Sequence, residues 1–168
     1  MIMTDLSNTL KNKAILLGLC TDWTNAWGDP DKQGLIDKYL HGIDFCIKHD
    51  YPSVEFIKKH FEKELLRKNN IFVDEDIHER NLNHIAVFNG KCSGMLMFDG
   101  LSCCDLYARH DSVLTIDCTR MSKVFVNLYD NAKVRIIQKD IASVYVYKHG
   151  DNCCVEYEGE VMVRNSNK

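Results

Sequence analysis

Val124-Phe125-Val126-Asn127-Leu128-Tyr129 alternates aliphatic with aromatic or polar side chains, and 20 residues on Val144-Tyr145-Val146-Tyr147-Lys148-His149 does so in the same phase. Cys104-Asp105-Leu106-Tyr107-Ala108-Arg109 stands one period earlier. In a strand, successive side chains point to opposite faces. The even positions therefore form one small apolar face, and the odd positions form an aromatic and polar one. A weaker half-period of ten residues fills the gaps, where Leu114 and Ile116 correspond to Val134 and Ile136. The register slips by one near Cys153, Val155 and Tyr157.

A fixed period of this length is the signature of stacked repeats. In a β-solenoid each coil lies about 4.8 Å above the last, so equivalent residues form columns and the inner columns must remain apolar. The even positions meet that demand. Residues 81–165 are read as such a domain, with roughly four coils and a height on the order of 20 Å. The same strand spacing also fits an antiparallel meander or β-sandwich, and the closure of each coil by two or by three ten-residue sides stays open. Turns fall at Asn89-Gly90, Asp99-Gly100, Asp130-Asn131 and Gly150-Asp151-Asn152.

Upstream the period changes to that of helices, and residues 1–73 read as a small helical bundle. Ser7 is placed as the cap of a first helix carrying Leu10, Ala14, Leu17, Trp23 and Trp27, with Gly28 ending it. Asp29-Pro30 starts a second helix with Leu35, Ile36, Tyr39, Leu40, Ile43 and Ile47 on its apolar face. Tyr51-Pro52-Ser53 starts a third, with Phe56, Ile57, His60, Phe61 and Leu65 inward and Asn69-Asn70 at its end. The charged stretch Asp74–Arg80 reads as a solvated link. The fold class is thus α+β, a helical bundle followed by a C-terminal β-solenoid.

The strand, Asp or Asn turn, strand pattern of residues 81–164 resembles the single-chain, right-handed β-solenoids of adhesin-like bacterial proteins and phage appendages. The whole chain is similar to proteins of unassigned activity from gut Bacteroidetes and their phages. The resemblance implies recognition or assembly, although some solenoids of this kind cut polysaccharides with clustered carboxylates.

Composition narrows the function classes. The chain has 168 residues, 45% hydrophobic and 27% charged, so it can bury a core and is not a disordered tail. With 21 basic residues against 24 acidic ones, no overall positive field draws it to nucleic acid. The longest apolar run, Ala14–Cys20, is far shorter than the roughly 20 residues a bilayer helix needs, so no membrane role is expected. That run lacks the small-x-small site of a cleaved signal, and the cytoplasm is the expected location. The eight cysteines then read as reduced core residues, with Cys103-Cys104 and Cys153-Cys154 each split between two faces.

Nucleotide-binding, zinc-protease and hydrolase motifs are absent from the sequence. The seven histidines lack ligand spacing, so neither metal nor cofactor is assigned. Asp99, Asp111, Asp130, Asp140 and Asp151 recur about every ten residues, and the simplest reading is turn capping; a calcium ladder or a pair of catalytic carboxylates is the alternative.

The candidate binding face is the odd-position ladder: Tyr107, Arg109, Phe125, Asn127, Tyr129, Tyr145, Tyr147 and His149. Broad rings with polar tips and a cation suit a protein interface. The same rings could instead be covered by the helical half, or could simply brace a wet sheet. Sparse nearby cations (Arg109, Arg120, Lys123 and Lys148) argue against single-stranded nucleic acid. The expected function is a non-catalytic binding or assembly module with a protein partner. It takes the form of a phage or mobile-element accessory that inhibits a host protein, or of a structural component that forms homo-oligomers; a carbohydrate-active enzyme is the alternative.

Overall fold

The computed structural model describes residues 3–166, which divide into two compact units, 1–65 and 66–168. Each is taken by itself. The first contains α1 (Met3–Leu16), α2 (Thr21–Asn25), α3 (Lys32–His41), α4 (Ile43–Lys48) and α5 (Val54–His60). A sixth helix, α6 (Lys63–Lys68), runs across the division.

Local chemistry sets these helix limits. Gly18, at φ +94°, follows the end of α1, so Trp23 lies in the separate short helix α2 and the expected long first helix is broken in two. Ser7 is not a cap: it lies inside α1, buried, and its Oγ accepts a hydrogen bond from Trp27 Nε1 at 3.1 Å. Asp31, two residues beyond the expected Asp29, caps α3 by accepting from the Gly34 amide at 2.8 Å. Ser53 caps α5 as expected, accepting from the Phe56 amide.

The second unit is a parallel β-solenoid of about five turns, with two sides to each coil. One sheet has the strand order β1-β3-β5-β7-β9-β11 and the other β10-β8-β6-β4-β2. The strands are β1 (Ile71–Val73), β2 (Asp76–Arg80), β3 (His84–Asn89), β4 (Ser93–Phe98), β5 (Cys103–Ala108), β6 (Val113–Cys118), β7 (Lys123–Leu128), β8 (Lys133–Gln138), β9 (Ser143–Lys148), β10 (Cys154–Glu158) and β11 (Val161–Asn165). Every one of the nine strand pairings is parallel, which excludes a meander or an antiparallel sandwich.

Through the middle of the stack the offset is 20 residues, with Cys104 against Val124 and Val124 against Val144. The even side chains Cys104, Leu106, Ala108, Val124, Val126, Leu128, Val144 and Val146 are all buried in one continuous core with Leu114, Ile116, Val134 and Ile136 from the facing sheet. Small residues (Cys92, Ser112, Ser122, Ala132, Ala142 and Cys153) fill the narrow inner corners. Ser112 Oγ donates to the Arg109 carbonyl and Ser122 Oγ to the Thr119 carbonyl, so the buried hydroxyls are satisfied within their own turns.

The ends depart from the period. Ile71 pairs with Val87 and Asp76 with Ser93 at the first coil, and Val161 with Val144 at the last. Val155 pairs with Val134, an offset of one extra residue, where the alternation slips near Cys153. Both shortened ends turn on a glycine. A Cβ at Gly94 (φ +133°) would lie 2.0 Å from the Ile77 carbonyl oxygen, and one at Gly159 (φ +92°) would lie 2.3 Å from that of Gln138.

The stretch Asp74–Arg80 is therefore part of the solenoid rather than a solvated link. It contains β2, and β1 precedes it at residues first read as helical. Glu75 and Glu79 accept from Arg67 at 2.9 and 2.8 Å, while Asp74 Oδ1 accepts from the Lys91 amide. Charge that suggested solvent is used in ties between coils.

Candidate functional site

Every tenth residue at the corners takes the left-handed conformation: Gly90, Gly100, His110, Arg120, Asp130 and Asp140, with φ from +56° to +77°. This is the backbone cause of the ten-residue beat, because a tight corner needs a positive φ at one fixed place. Asp130 and Asp140 stabilise the corner beneath them. Their Oδ2 atoms accept from the backbone amides of His110 and Arg120, both at 2.9 Å. Asp111 Oδ1 accepts from Asn131 Nδ2, and Asp99 Oδ1 accepts from Asn81 Nδ2. Asp99, Asp111, Asp130 and Asp140 thus tie coil to coil. Among the described residues no three His, Cys, Asp or Glu side chains converge on a point that could hold a metal ion.

The odd-position ladder forms three columns on the outside of the β5–β7–β9 sheet. In the first, Phe125 stacks on Tyr145 with ring centroids 5.2 Å apart, and Lys123 Nζ lies 5.1 Å from the Phe125 centroid. Met162 pairs with Tyr145 in the coil above. In the second column Tyr107, Asn127 and Tyr147 lie in register. Asn127 Nδ2 donates to the Leu106 carbonyl, and its Oδ1 lies 3.2 Å from His149 Nε2. An amide oxygen only accepts, so this contact assigns the proton to His149 Nε2. In the third column Tyr129 stacks on His149 at 4.3 Å with the rings 3° from parallel.

Seven of the eight expected residues, six rings and the Asn127 amide, are half-buried. Arg109 differs. It is 2% exposed, and its Nη1 donates to Asn89 Oδ1 at 3.2 Å one coil below. The structure brings the expected residues together as one sheet face but leaves the expected cation buried, in a polar contact with Asn89.

A fourth column, which the alternation alone does not reveal, runs beside this face. Leu101, Met121 and Ile141 occupy the same corner position in three successive coils and are 79%, 54% and 71% exposed. The equivalent place on the opposite corner holds Lys91, Asp111, Asn131 and Asp151. Corner geometry accepts polar side chains there, so folding does not require the three large apolar ones. The signal was present in the sequence as a further column at the same 20-residue interval. It is easily passed over, because single apolar residues next to turns carry no pattern until they are stacked.

The thiols follow the two faces. Cys103 and Cys154 are exposed, while Cys104 and Cys153 are buried beside them. Burial pushes the Cys104 and Cys118 thiols up to about 12 and Cys92 to about 11, so these remain protonated apolar fillers at neutral pH.

No protein-family model, curated protein or solved structure matches this chain. The solenoid resemblance accordingly rests on the coil itself, and nothing in the comparisons connects the chain to adhesin-like or phage proteins. No helix among the described residues is long and apolar enough to cross a membrane.

Proposed function

We propose that this protein is a non-catalytic binding module whose partner is another protein. Its contact surface is the strip of solenoid where the aromatic ladder meets the Leu101–Met121–Ile141 corner. The observation that carries this reading is the exposure of those three side chains in consecutive coils, next to the half-exposed Phe125–Tyr145 stack and Lys123. Aromatic and aliphatic anchors around a cation are the composition of an interface core. A non-catalytic role is supported by the use of the Asp130 and Asp140 carboxylates as backbone acceptors. Occupation of a host protein by a phage or mobile-element accessory is the form of activity this surface best suits.

The test is affinity capture from the native host with the wild-type chain and with Tyr107→Ala/Tyr145→Ala. The double variant should lose the captured protein and keep its melting curve. A collapse of the melting curve instead would assign the rings to structure.

A second reading, self-assembly, is favoured by the last coil. There β10 and β11 are each paired on one side only, and Tyr157, Met162 and Val163 are exposed. Light scattering on the purified chain distinguishes the two: a monomer supports the host-protein reading, and a multimer dispersed by Val163→Glu supports assembly through that end.

A further inference from the structure

The helical unit contains a cavity of about 310 Å³ that the partner surface does not use. Five aromatic side chains line it, Trp23, Trp27, Tyr39, Phe45 and Tyr51, backed by Leu10, Ala14 and Leu35. Packed interiors contain few voids larger than a water molecule. The cavity opens to solvent past the exposed Gly18, Cys20 and Trp23, and its volume, equivalent to about ten waters at roughly 30 Å³ each, suits a small ligand.

Its polar groups define what fits. Tyr51 OH donates to the Leu10 carbonyl at 2.7 Å, and burial pushes this phenol well above its ordinary value, so it remains a neutral donor already in use. Trp27 Nε1 is likewise committed to Ser7 Oγ. A sugar or a nucleoside would find few partners for its hydroxyls on such walls, where the Trp23 indole N–H, the Tyr39 hydroxyl and two thiols are the other neutral polar side-chain groups. Lys38 on α3 is the only charged side chain on the lining. Its Nζ lies 5.4 Å from the Trp27 ring centroid and 3.4 Å from the Ala26 carbonyl oxygen. No carboxylate among the described residues forms an ion pair with it.

From an aromatic-walled chamber holding about ten non-hydrogen atoms, with one ammonium lacking a counter-charge, we propose that the helical unit binds a small apolar monocarboxylate, such as a medium-chain fatty acid. The chain lies among the rings and the carboxylate meets Lys38 Nζ, a charge-assisted contact that a neutral head group cannot make.

The chain has only two tryptophans, and both line the cavity, so tryptophan emission reports on this part of the helical unit, where the two rings also border the neighbouring cleft of Asp22, Asp29 and Asp37. Octanoate, with ten non-hydrogen atoms, is the probe. Titration into the full chain should give a saturable change in emission with a dissociation constant below about 1 mM, a modest affinity for so small a ligand. Octan-1-ol should bind about tenfold more weakly, the factor expected for loss of one charged contact. Lys38→Met should bring the two ligands to parity, and Ala14→Leu, which fills the chamber, should abolish binding of both with the circular dichroism unchanged. The proposal is overturned if octanoate gives neither an emission change nor heat by calorimetry, or if octan-1-ol matches octanoate on the native chain. Both of these comparisons use no variant, so they hold even if a substituted chain fails to fold. Undiminished binding by Ala14→Leu would also overturn it.

Discussion

The two corners of each solenoid coil share a backbone and differ in what they show to solvent. On the corner reached from β5 and β7, Asp111, Asp130 and Asn131 knit one coil to the next. On the corner reached from β6 and β8, Asp140 plays the same capping role, but the tip residues are Met121 and Ile141. The φ angles at Arg120, Asp130 and Asp140 agree within 2°. Geometry therefore decides which residue turns the chain and leaves the neighbouring tip free. A tip that is consistently apolar is therefore not set by the turn, and the proposed partner surface rests on it.

Four variants would break or sharpen that contrast. The largest effect belongs to neither corner but to the column between them. Val126→Asp places a carboxylate in the fully buried stack and should cost about 4 kcal/mol or more, unfolding the solenoid in urea far below the wild-type midpoint. Next comes the capped corner. Asp130→Ala removes the acceptor for the His110 amide and should lower stability by about 1–2 kcal/mol, whereas Leu101→Ser/Met121→Ser/Ile141→Ser should stay within about 0.5 kcal/mol of wild type. Equal losses in the two would mean that the apolar tips are structural. The smallest effect carries the opposite sign: Arg120→Gly relieves a left-handed arginine and should raise stability by roughly 0.5–1 kcal/mol in a thermal melt.

The middle of the solenoid was legible because two independent constraints agree there. Alternation marks the inward face of each strand, and the 20-residue interval repeats it, so Val124 predicts Val144. The first coil was not legible. β2 has a single inward anchor, Ile77, among Asp76, His78, Glu79 and Arg80, and its partners are ion pairs with Arg67 and hydrogen bonds that composition counts as solvated charge. The offset there also shortens, which removes the second constraint.

In the candidate site the stacking of Phe125 on Tyr145 followed directly from register. The burial of Arg109 did not, because alternation gives the side of the sheet and not the accessibility of that side. Helix limits failed for a related reason. Asp29 and Asp31 both have cap chemistry, and only the orientation of the chain entering α3 selects the second.

The glycine at position 94 and its counterpart at 159 confine irregularity to the two extremities. From β3 to β9 the chain advances by an unchanging 20 residues per coil, so a duplicated block of that length would insert there with both of its junctions already matched. Molecular reach along the axis is in that sense an adjustable dimension, set by copy number at roughly 4.8 Å per added block. Neither terminal closure would have to be rebuilt.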